Sequence, residues 1–242
     1  MKKSGHLSVL EHANFTFGVE GVSRALLAQI TRHRVASFSV ASQRYINSNN
    51  MDFSIPEAVK NNINTARIFG DCMQTITSAY RDIHAYLMSE KLREKYAKFI
   101  THDGLNIAFQ NNAKYFYLAL DSKMEAMHTD PNATEEDQKL YKEFKKDRSA
   151  AEKFANENAR SVLPNAAQTN FTVTMNAREL LHFFSLRCCN RAQDEIRELA
   201  SQMLVLCQQV APNIFDNAGA PCVSGKCPEG KMSCGHPQKA EV

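Results

Sequence analysis

Apolar residues recur every three or four positions over a long stretch of the chain, and this pattern constrains the fold more than any other feature. The recurring residues are Ile68, Cys72, Ile76, Tyr80, Ile83 and Leu87. Their spacing is that of one face of an α-helix, so residues 58–100 are predicted to form one long helix and a shorter one. We interpret His84, in the same stretch, as a surface or packing residue because no second type of metal ligand lies one turn away.

Shorter elements surround this stretch in the sequence. Residues 11–17 and 35–42 have the composition of extended segments, and residues 170–175 alternate Thr and Val as the clearest strand of the chain. Residues 20–31 carry a helical apolar stripe. The sequence therefore predicts an α+β fold that is mostly helical, with a smaller strand component.

Two further helices are predicted near the carboxyl end. Asn176 is a typical N-cap with Glu179 three residues on, so a helix begins at Ala177. Another helix runs from about Arg191 until Pro212. Its apolar residues on one side are Ile196, Leu199, Met203, Leu206 and Val210.

Basic residues are concentrated in one acid-free interval that contains TRHRVASFSVASQRY. Four arginines and no Asp or Glu occur between Gly21 and Met51, so this interval carries +4 within a chain of net charge +3. Arginine binds phosphate or carboxylate groups through two parallel donors, and serine hydroxyls can complete such a site. The interval predicts a local anion-binding site. The alternative is a surface patch that distant acids neutralise after folding.

Composition and targeting signals limit the class of protein. The 242 residues are 43% hydrophobic and 23% charged, which is typical of a folded domain. No apolar run reaches the roughly 18 residues of a membrane helix, and the first residues lack a signal-peptide pattern. We therefore expect a cytoplasmic protein without a membrane partner, and we interpret its seven cysteines as reduced thiols.

The predicted helix after Asn176 carries polar residues on two sides. Arg178 and His182 lie four residues apart and share a face, whereas Arg187 is rotated from Arg178 by roughly 180° at 3.6 residues per turn. Such a helix could serve two ligands or two subunits. The alternative is that Arg187 lies on a solvated side near the helix end, where a cation is favoured.

Several separate blocks resemble the flavin-dependent thymidylate synthase family. The most specific is RHR at residues 32–34, followed after seven residues by Ser42 and then QRY. The blocks GHLSVLEHANFTF, ARSVLPNA and MNARELLHFFSLRCCNRAQDEIRELA resemble the family in the same order. The similarity covers most of residues 4–110 and 155–236.

The resemblance implies reductive methylation of dUMP to dTMP, with 5,10-methylenetetrahydrofolate as carbon donor and NADPH as reductant through bound FAD. It also implies a central, mostly antiparallel sheet flanked by long helices, and a homotetramer with active sites at subunit interfaces. We expect one synthase domain over residues 1–242. Within it, residues 114–152 form a charged helical insertion without a catalytic role, and residues 217–242 form a cysteine-containing tail.

The same resemblance implies roles for individual residues. Arg187 corresponds to the catalytic arginine that holds the uracil ring and ionises its N3. The implied flavin contacts are Ser8, Arg32, His33, Arg34, Asn176, Arg178 and His182. The implied dUMP contacts are Gln29, Arg32, Ala41, Ser42, Gln43, Arg44, Arg160 and Arg187. Ser42 has no evident base in the motif, so we interpret it as a positioning group rather than a nucleophile.

Two features depart from the family. Val40 stands where members often carry Glu or Gln, so a polar side-chain contact is missing. Members usually have a strand and helix before the point where this chain begins, so we expect weaker flavin retention than in such members. The tail places Cys222, Cys227, Cys234 and His236 close together, but their spacing is not that of a standard zinc finger, and no metal is predicted.

A competing interpretation from another class is a non-catalytic nucleotide- or RNA-binding protein that uses residues 32–44. It leaves the polar residues of the helix after Asn176 without a purpose. RNA readers also interleave more aromatic residues with the basic ones than the two found here, Phe38 and Tyr45. The enzyme interpretation is therefore preferred, and no nucleic-acid partner is expected.

Overall fold

The computed structural model describes residues 6–49, 51–100 and 113–238. Within these ranges the chain is rich in helix and contains one small antiparallel sheet, which confirms the predicted α+β composition. It divides into two compact units. The sheet unit comprises Met1–Ala41, Asp52–Asn62 and Asn165–Val242, and the helical unit comprises Ser42–Met51 and Ile63–Pro164. A single synthase domain over the whole chain stays a prediction.

The regular elements follow in chain order. They are β1 (Asn14–Ser23), α1 (Arg24–Ile30), β2 (Ala36–Val40), α2 (Glu57–Lys60), α3 (Ile63–Tyr96), α4 (Phe116–Thr129), α5 (Glu135–Ala159), β3 (Gln168–Asn176), α6 (Ala177–Arg187), α7 (Asp194–Val210), α8 (Pro212–Phe215) and α9 (Pro221–Ser224). Short 3₁₀ turns cover Ser8–His12, Ala97–Phe99, Ala113–Tyr115, Arg160–Val162 and Gly230–Met232. None of the helices in the described ranges combines the length and hydropathy needed to cross a membrane.

The three strands of the sheet unit have the order β1-β3-β2, and both pairings are antiparallel. The central strand β3 buries Phe171, Val173 and Met175 at alternate positions, so one face of the sheet covers the core. The register between β1 and β3 shifts next to Gly21, whose φ of 68° suits glycine. The Gly21 N–H donates to the side-chain oxygen of Asn170 at 2.9 Å, which fixes the irregularity.

Helices α1, α6 and α7 contribute fully buried side chains to this core, among them Ile30, Phe183 and Met203. The apolar side of α7 is not buried at its far end, because Leu206 and Val210 are 52% and 71% exposed. The buried positions are Ile196, Ala200, Met203 and Cys207. These lie four, three and four residues apart, which is helical spacing. Ala200 and Cys207 are buried in place of the larger Leu199 and Leu206.

The helical unit has a second core, in which Met88, Leu92 and Tyr96 of α3 pack with residues of α4 and α5. The predicted long helix is confirmed, but its predicted core stripe is wrong in the first half. Ile68 is 59% exposed and Cys72 is exposed. Burial begins only at Tyr80, because the described packing partners of α3 lie beside its second half.

The charged helix α5 begins with a capping box. The Thr134 hydroxyl accepts a hydrogen bond from the Asp137 N–H at 3.2 Å, and the Asp137 carboxylate accepts one from the Thr134 N–H at 2.9 Å. The opposite side of the helix buries Phe144, Ala151 and Ala155. The segment is therefore amphipathic rather than solvated throughout.

Candidate active site

His33 is the most buried residue of the stretch TRHRVASFSVASQRY, with 6% of its surface exposed. Its Nδ1 lies 3.2 Å from Glu179 Oε1, and its Nε2 lies 3.1 Å from Arg187 Nε. Because arginine has only donors, the Arg187 Nε–H donates to His33 Nε2, and the proton of the neutral ring must then sit on Nδ1. The Nδ1–H therefore donates to Glu179. The three side chains form a directed chain of carboxylate, imidazole and guanidinium.

The surroundings of His33 favour its neutral form. Burial lowers the pKa of His33 below the ordinary value of 6.5, and the hydrogen bond to Glu179 opposes this without cancelling it. The charges of Arg187 and His182 lower the pKa further. The ring of Phe183 packs edge-on against His33 with centroids 5.0 Å apart. An imidazole in this setting remains neutral near pH 7 and can accept from Arg187.

Arg187, the predicted catalytic residue, is the last residue of α6 and is half-buried. Burial is the main cause that lowers the pKa of its guanidinium, and the nearby charge of Arg32 adds to it. No carboxylate among residues 6–49, 51–100 and 113–238 forms an ion pair with Arg187. The guanidinium is thus held by a neutral ring, and its positive charge stays available to an anionic ligand.

A cavity of about 670 Å³ opens on the other side of the same helix. Three predicted flavin contacts line it, namely Asn176, Arg178 and His182. Asn176 also caps α6, since its side-chain oxygen accepts from the Glu179 N–H at 2.9 Å. Arg178 forms an ion pair with Glu11, which lines the same cavity. The cavity is within the 300–1,000 Å³ range usual for small-molecule sites and offers cationic and amide donors.

Arg187 lines a separate cavity of about 550 Å³. The helical phase of α6 therefore directs Arg178 and His182 one way and Arg187 the other, as the spacing predicts. His33 lies between the two sets: its Nε2 accepts from Arg187, and its ring centroid is 6.2 Å from that of His182. The imidazole of His33 therefore contacts Arg187, which lines one cavity, and lies near His182, which lines the other.

The remaining predicted site residues of the sheet unit are less enclosed. Arg32 and Arg34 are exposed after α1, and the described residues include no ion-pair partner for either. Ser8 is exposed on a 3₁₀ turn. The Gln29 side chain donates to Gln193 Oε1 at 3.3 Å, and the Ala41 N–H donates to the Asn170 backbone oxygen at 2.9 Å.

The other predicted dUMP contacts belong to the helical unit. Arg44 forms an ion pair with Glu157 at 3.1 Å, and Arg160 Nε donates to the backbone oxygen of Glu157 at 3.3 Å. For Arg44 the alternative interpretation of the basic interval holds, because a distant acid pairs with it after folding. The Ser42 hydroxyl accepts from the Arg44 N–H at 3.4 Å, and Gln43 is half-buried.

Glu179 is the functional residue that sequence reasoning missed. The capping pattern would direct its carboxylate back toward Asn176, but the carboxylate contacts His33 instead. The side chain is 12% exposed, as expected for an acid that serves a buried partner. A first-turn acid three residues after the cap suggests only a helix start, so a contact with a residue 146 positions away left no signal in the sequence.

The tail lies against the end of α6 in the sheet unit. Cys189, Cys222, Cys227 and Cys234 line the same cavity as Arg187. Gln238 donates to the backbone oxygen of Cys188 at 2.8 Å, which ties the tail to that helix end. Across the part of the chain that the structure describes, no three His, Cys, Asp or Glu side chains are arranged to hold a metal ion. Val40, which stands where the sequence comparison expects Glu or Gln, ends β2 and packs against the sheet-unit core.

The fold is rich in helix and contains one small antiparallel sheet. In the candidate site, the buried imidazole of His33 orients the Arg187 guanidinium, which no described carboxylate neutralises. Such a site is suited to an anionic ligand. Comparison with known proteins is more specific. Residues 1–213 match the model of the family described as thymidylate synthase complementing protein. The chain belongs to this family, whose curated relatives below are flavin-dependent thymidylate synthases.

Three relatives illustrate the match. The flavin-dependent thymidylate synthase of Clostridium tetani is 39% identical over 231 residues, which cover 96% of this chain and 73% of that protein. The enzyme of Geobacter sulfurreducens is 39% identical over 240 residues, covering 98% and 74%. The enzyme of Pyrococcus abyssi is 35% identical over 237 residues, covering 94% and 70%. These matches favour the predicted enzyme over an RNA-binding protein.

A solved structure is also similar at a greater distance. It is the flavin-dependent thymidylate synthase of Helicobacter pylori, crystallised with FAD and dUMP. The sequence identity is 21% and the TM-score is 0.43, over 88% of this chain and 77% of that one.

Proposed function

We propose that the protein catalyses the reductive methylation of dUMP to dTMP, with 5,10-methylenetetrahydrofolate as carbon donor and NADPH as reductant through FAD. Family membership and two relatives at 39% identity support this activity. The observation that carries the site assignment is the Arg187 guanidinium, oriented by neutral His33 and not neutralised by a described carboxylate. Such a charge is suited to a substrate ring on which negative charge develops.

Arg187 acts in this proposal on the uracil ring. Negative charge that spreads over N3 and the ring carbonyls makes C5 more nucleophilic, and a fixed guanidinium beside them stabilises that charge. His33 holds the guanidinium through Nε, so the terminal nitrogens are left to face the ring. Ser42 is assigned to substrate positioning, since no described imidazole or carboxylate accepts a hydrogen bond from its hydroxyl.

FAD fits the cavity lined by Asn176, Arg178 and His182, because the cavity is large enough for a sizeable ligand and carries donors for an anionic one. When bound, FAD supplies the redox chemistry of the reaction. Arg178 binds its anionic groups in this assignment, and Asn176 and His182 offer polar contacts. Ser8, Arg32, His33 and Arg34 are proposed to complete the flavin site, as the family resemblance implies.

The dUMP contacts are proposed from the family resemblance, residue by residue. They are Gln29, Arg32, Ala41, Ser42, Gln43, Arg44, Arg160 and Arg187. Exposed arginines suit the dUMP phosphate. A cytoplasmic location and the absence of a nucleic-acid partner are part of the same proposal.

We further propose a homotetramer with active sites where subunits meet. The first half of α3 supports assembly, because Ile63 and Ile68 expose 85% and 59% of their surface on one chain. Exposed apolar residues on a long helix are typical of a face covered by another subunit. Arg32 and Arg34 are exposed on the single chain, which also suits a site that a second subunit completes.

The decisive experiment measures release of tritium from the C5 position of labelled dUMP by the purified protein with FAD, methylenetetrahydrofolate and NADPH. We expect release that depends on all three additions, together with a flavin absorption spectrum after FAD is added. No release from a protein that binds FAD would contradict the proposed reaction. Tight binding of single-stranded RNA in the absence of release would support the competing function instead.

A further inference from the structure

We propose that Glu179 is a positioning residue for the reaction, which fixes the tautomer of His33 and through it the orientation of Arg187. The inference deepens the proposed function and rests on it. Glu179 Oε1 lies 3.2 Å from His33 Nδ1, and Arg187 Nε lies 3.1 Å from His33 Nε2. Neither the family resemblance nor the sequence pattern assigns Glu179 more than a place in the first turn of α6.

The direction of the hydrogen bonds follows from the chemistry of the two ends. A carboxylate only accepts hydrogen bonds, and a guanidinium only donates them. Between them, the imidazole of His33 must donate through Nδ1 and accept through Nε2. A side chain at position 179 that can donate as well as accept could leave the proton on either nitrogen, so the carboxylate selects the tautomer that holds Arg187.

Burial makes this selection strong. The side chains of His33 and Glu179 are only 5% and 12% exposed, so water cannot easily replace either partner. Hydrogen bonds in such surroundings are electrostatically stronger than in water. Two buried N–H groups that face each other without an acceptor are energetically unfavourable for the same reason. If the ring proton moved to Nε2, two N–H groups of His33 and Arg187 would face each other at 3.1 Å.

The interposed ring also explains how Arg187 is oriented without losing its charge. A carboxylate in direct contact with the guanidinium would compete with the uracil ring for it. Here the acid is one ring away, and Arg187 contacts only the neutral nitrogen of His33 through Nε. The carboxylate therefore sets geometry, while the positive charge remains for the substrate.

The test compares Glu179→Gln with Glu198→Gln in the full chain. Gln is nearly the same size as Glu, but its amide can donate as well as accept. Glu198 is exposed on α7 and bonds Gln202 at 2.8 Å, so its variant removes one carboxylate charge outside both cavities. Glu179→Asp serves as the conservative variant, because it keeps an acceptor-only group on a shorter side chain.

The first measurement is nitrogen NMR of labelled histidine in the substrate-free protein, with the His33 signals assigned by their loss in His33→Asn. We expect the Nδ1–H tautomer in the unsubstituted chain and in Glu198→Gln, and a mixture or the Nε2–H tautomer in Glu179→Gln. An unchanged Nδ1–H tautomer in Glu179→Gln would overturn the proposal. Thermal melting of each variant separates this change from unfolding.

The second measurement is kinetic. Glu179 also lines the cavity proposed for FAD, so kcat is measured at saturating FAD. We expect kcat for C5 hydrogen release to fall roughly ten- to a hundredfold in Glu179→Gln, with partial recovery in Glu179→Asp. A tautomer change with kcat within about twofold of the unsubstituted enzyme would also overturn the positioning role. If the unsubstituted enzyme releases no C5 hydrogen, the proposed reaction fails, while the NMR result still decides whether Glu179 fixes the His33 tautomer.

Discussion

Arg187 is anchored by His33: its Nε–H donates to the imidazole Nε2 at 3.1 Å, although the two residues are 154 positions apart in the chain. The contact joins the end of α6 to the segment that follows α1. Because the anchor is a neutral ring, the guanidinium is held in place and keeps its charge. This relationship distinguishes Arg187 from Arg44, whose charge is partly satisfied by Glu157.

Substitution of Arg187 tests this distinction. We expect Arg187→Ala to lower kcat about a hundred- to a thousandfold, because a single fixed donor at a developing negative charge is worth that much. Flavin affinity should change little, since Asn176, Arg178 and His182 line a different cavity. Tritium release from dUMP and quenching of flavin fluorescence measure the two effects.

Arg197→Ala is the matched control for Arg187→Ala. Arg197 pairs with Asp194 on α7 at 2.7 Å and lines neither of the two cavities described above. We expect this variant to keep both kcat and flavin affinity. Loss of flavin binding in Arg187→Ala with kcat retained would mean that Arg187 belongs to the flavin site.

Two helix caps in the same chain allow the structural and ligand roles of Asn176 to be separated. Asn176 caps α6 and lines the proposed flavin cavity, whereas Thr134 caps α5 in an exposed position. Each cap replaced by Ala should lower the free energy of unfolding by about 1 kcal/mol. Only Asn176→Ala should also weaken FAD binding.

Chemical denaturation and flavin titration of both variants check this prediction. Equal loss of FAD affinity in Thr134→Ala would show that general destabilisation, rather than a contact of Asn176, weakens the flavin site. Retained affinity in Asn176→Ala would remove this residue from the proposed contacts.

Local patterns of the sequence were sufficient to predict elements whose cause is local. The N-cap Asn176 and the two-sided helix α6 depend on residues a few positions apart, and the structure contains both. The strand β3 was equally clear from its Thr and Val alternation.

Features that depend on tertiary contacts could not be predicted in the same way. The core stripe of α3 begins only at Tyr80, because burial depends on where α4 and α5 pack. The partner of Arg44 and the partner of Glu179 are 113 and 146 positions away in sequence. Their types and spacing give no sign of these contacts, which only the folded chain creates.

His84 should make stability depend on pH. It is 3% exposed and stacks on Tyr80, and burial lowers its pKa below 6.5 despite the opposing charge of Glu152. The unfolded chain then binds a proton near pH 6.5 while the folded chain does not. Stability is therefore fully present above that pH and falls as the pH drops through 6.5 toward the lowered folded pKa.

Urea unfolding between about pH 5 and pH 8 measures this dependence. We expect His84→Gln to reduce the slope of unfolding free energy against pH by at most about 1.4 kcal/mol per pH unit, the value for one proton. His12→Gln removes an exposed imidazole and is the control. An identical slope in His84→Gln and the unsubstituted chain would show that His84 does not cause the dependence.

The exposed first half of α3 should govern assembly. Ile63 and Ile68 expose 85% and 59% of their surface, and each isoleucine removed from water at an interface would contribute about 1.5–3 kcal/mol. We expect Ile68→Glu to dissociate the proposed tetramer into smaller species, because a buried carboxylate without a partner is strongly unfavourable. Sedimentation velocity over a range of protein concentrations measures the species present.

Gln74→Glu introduces the same charge at an exposed polar position of α3 and should leave assembly unchanged. Because the proposed active sites lie where subunits meet, Ile68→Glu should also lose C5 hydrogen release in proportion to dissociation, while each subunit keeps its helical circular dichroism. A monomeric variant with full activity would show that one subunit holds a complete site. An intact tetramer of Ile68→Glu would place the subunit contact on another face, since a glutamate would not be tolerated at the centre of an apolar interface.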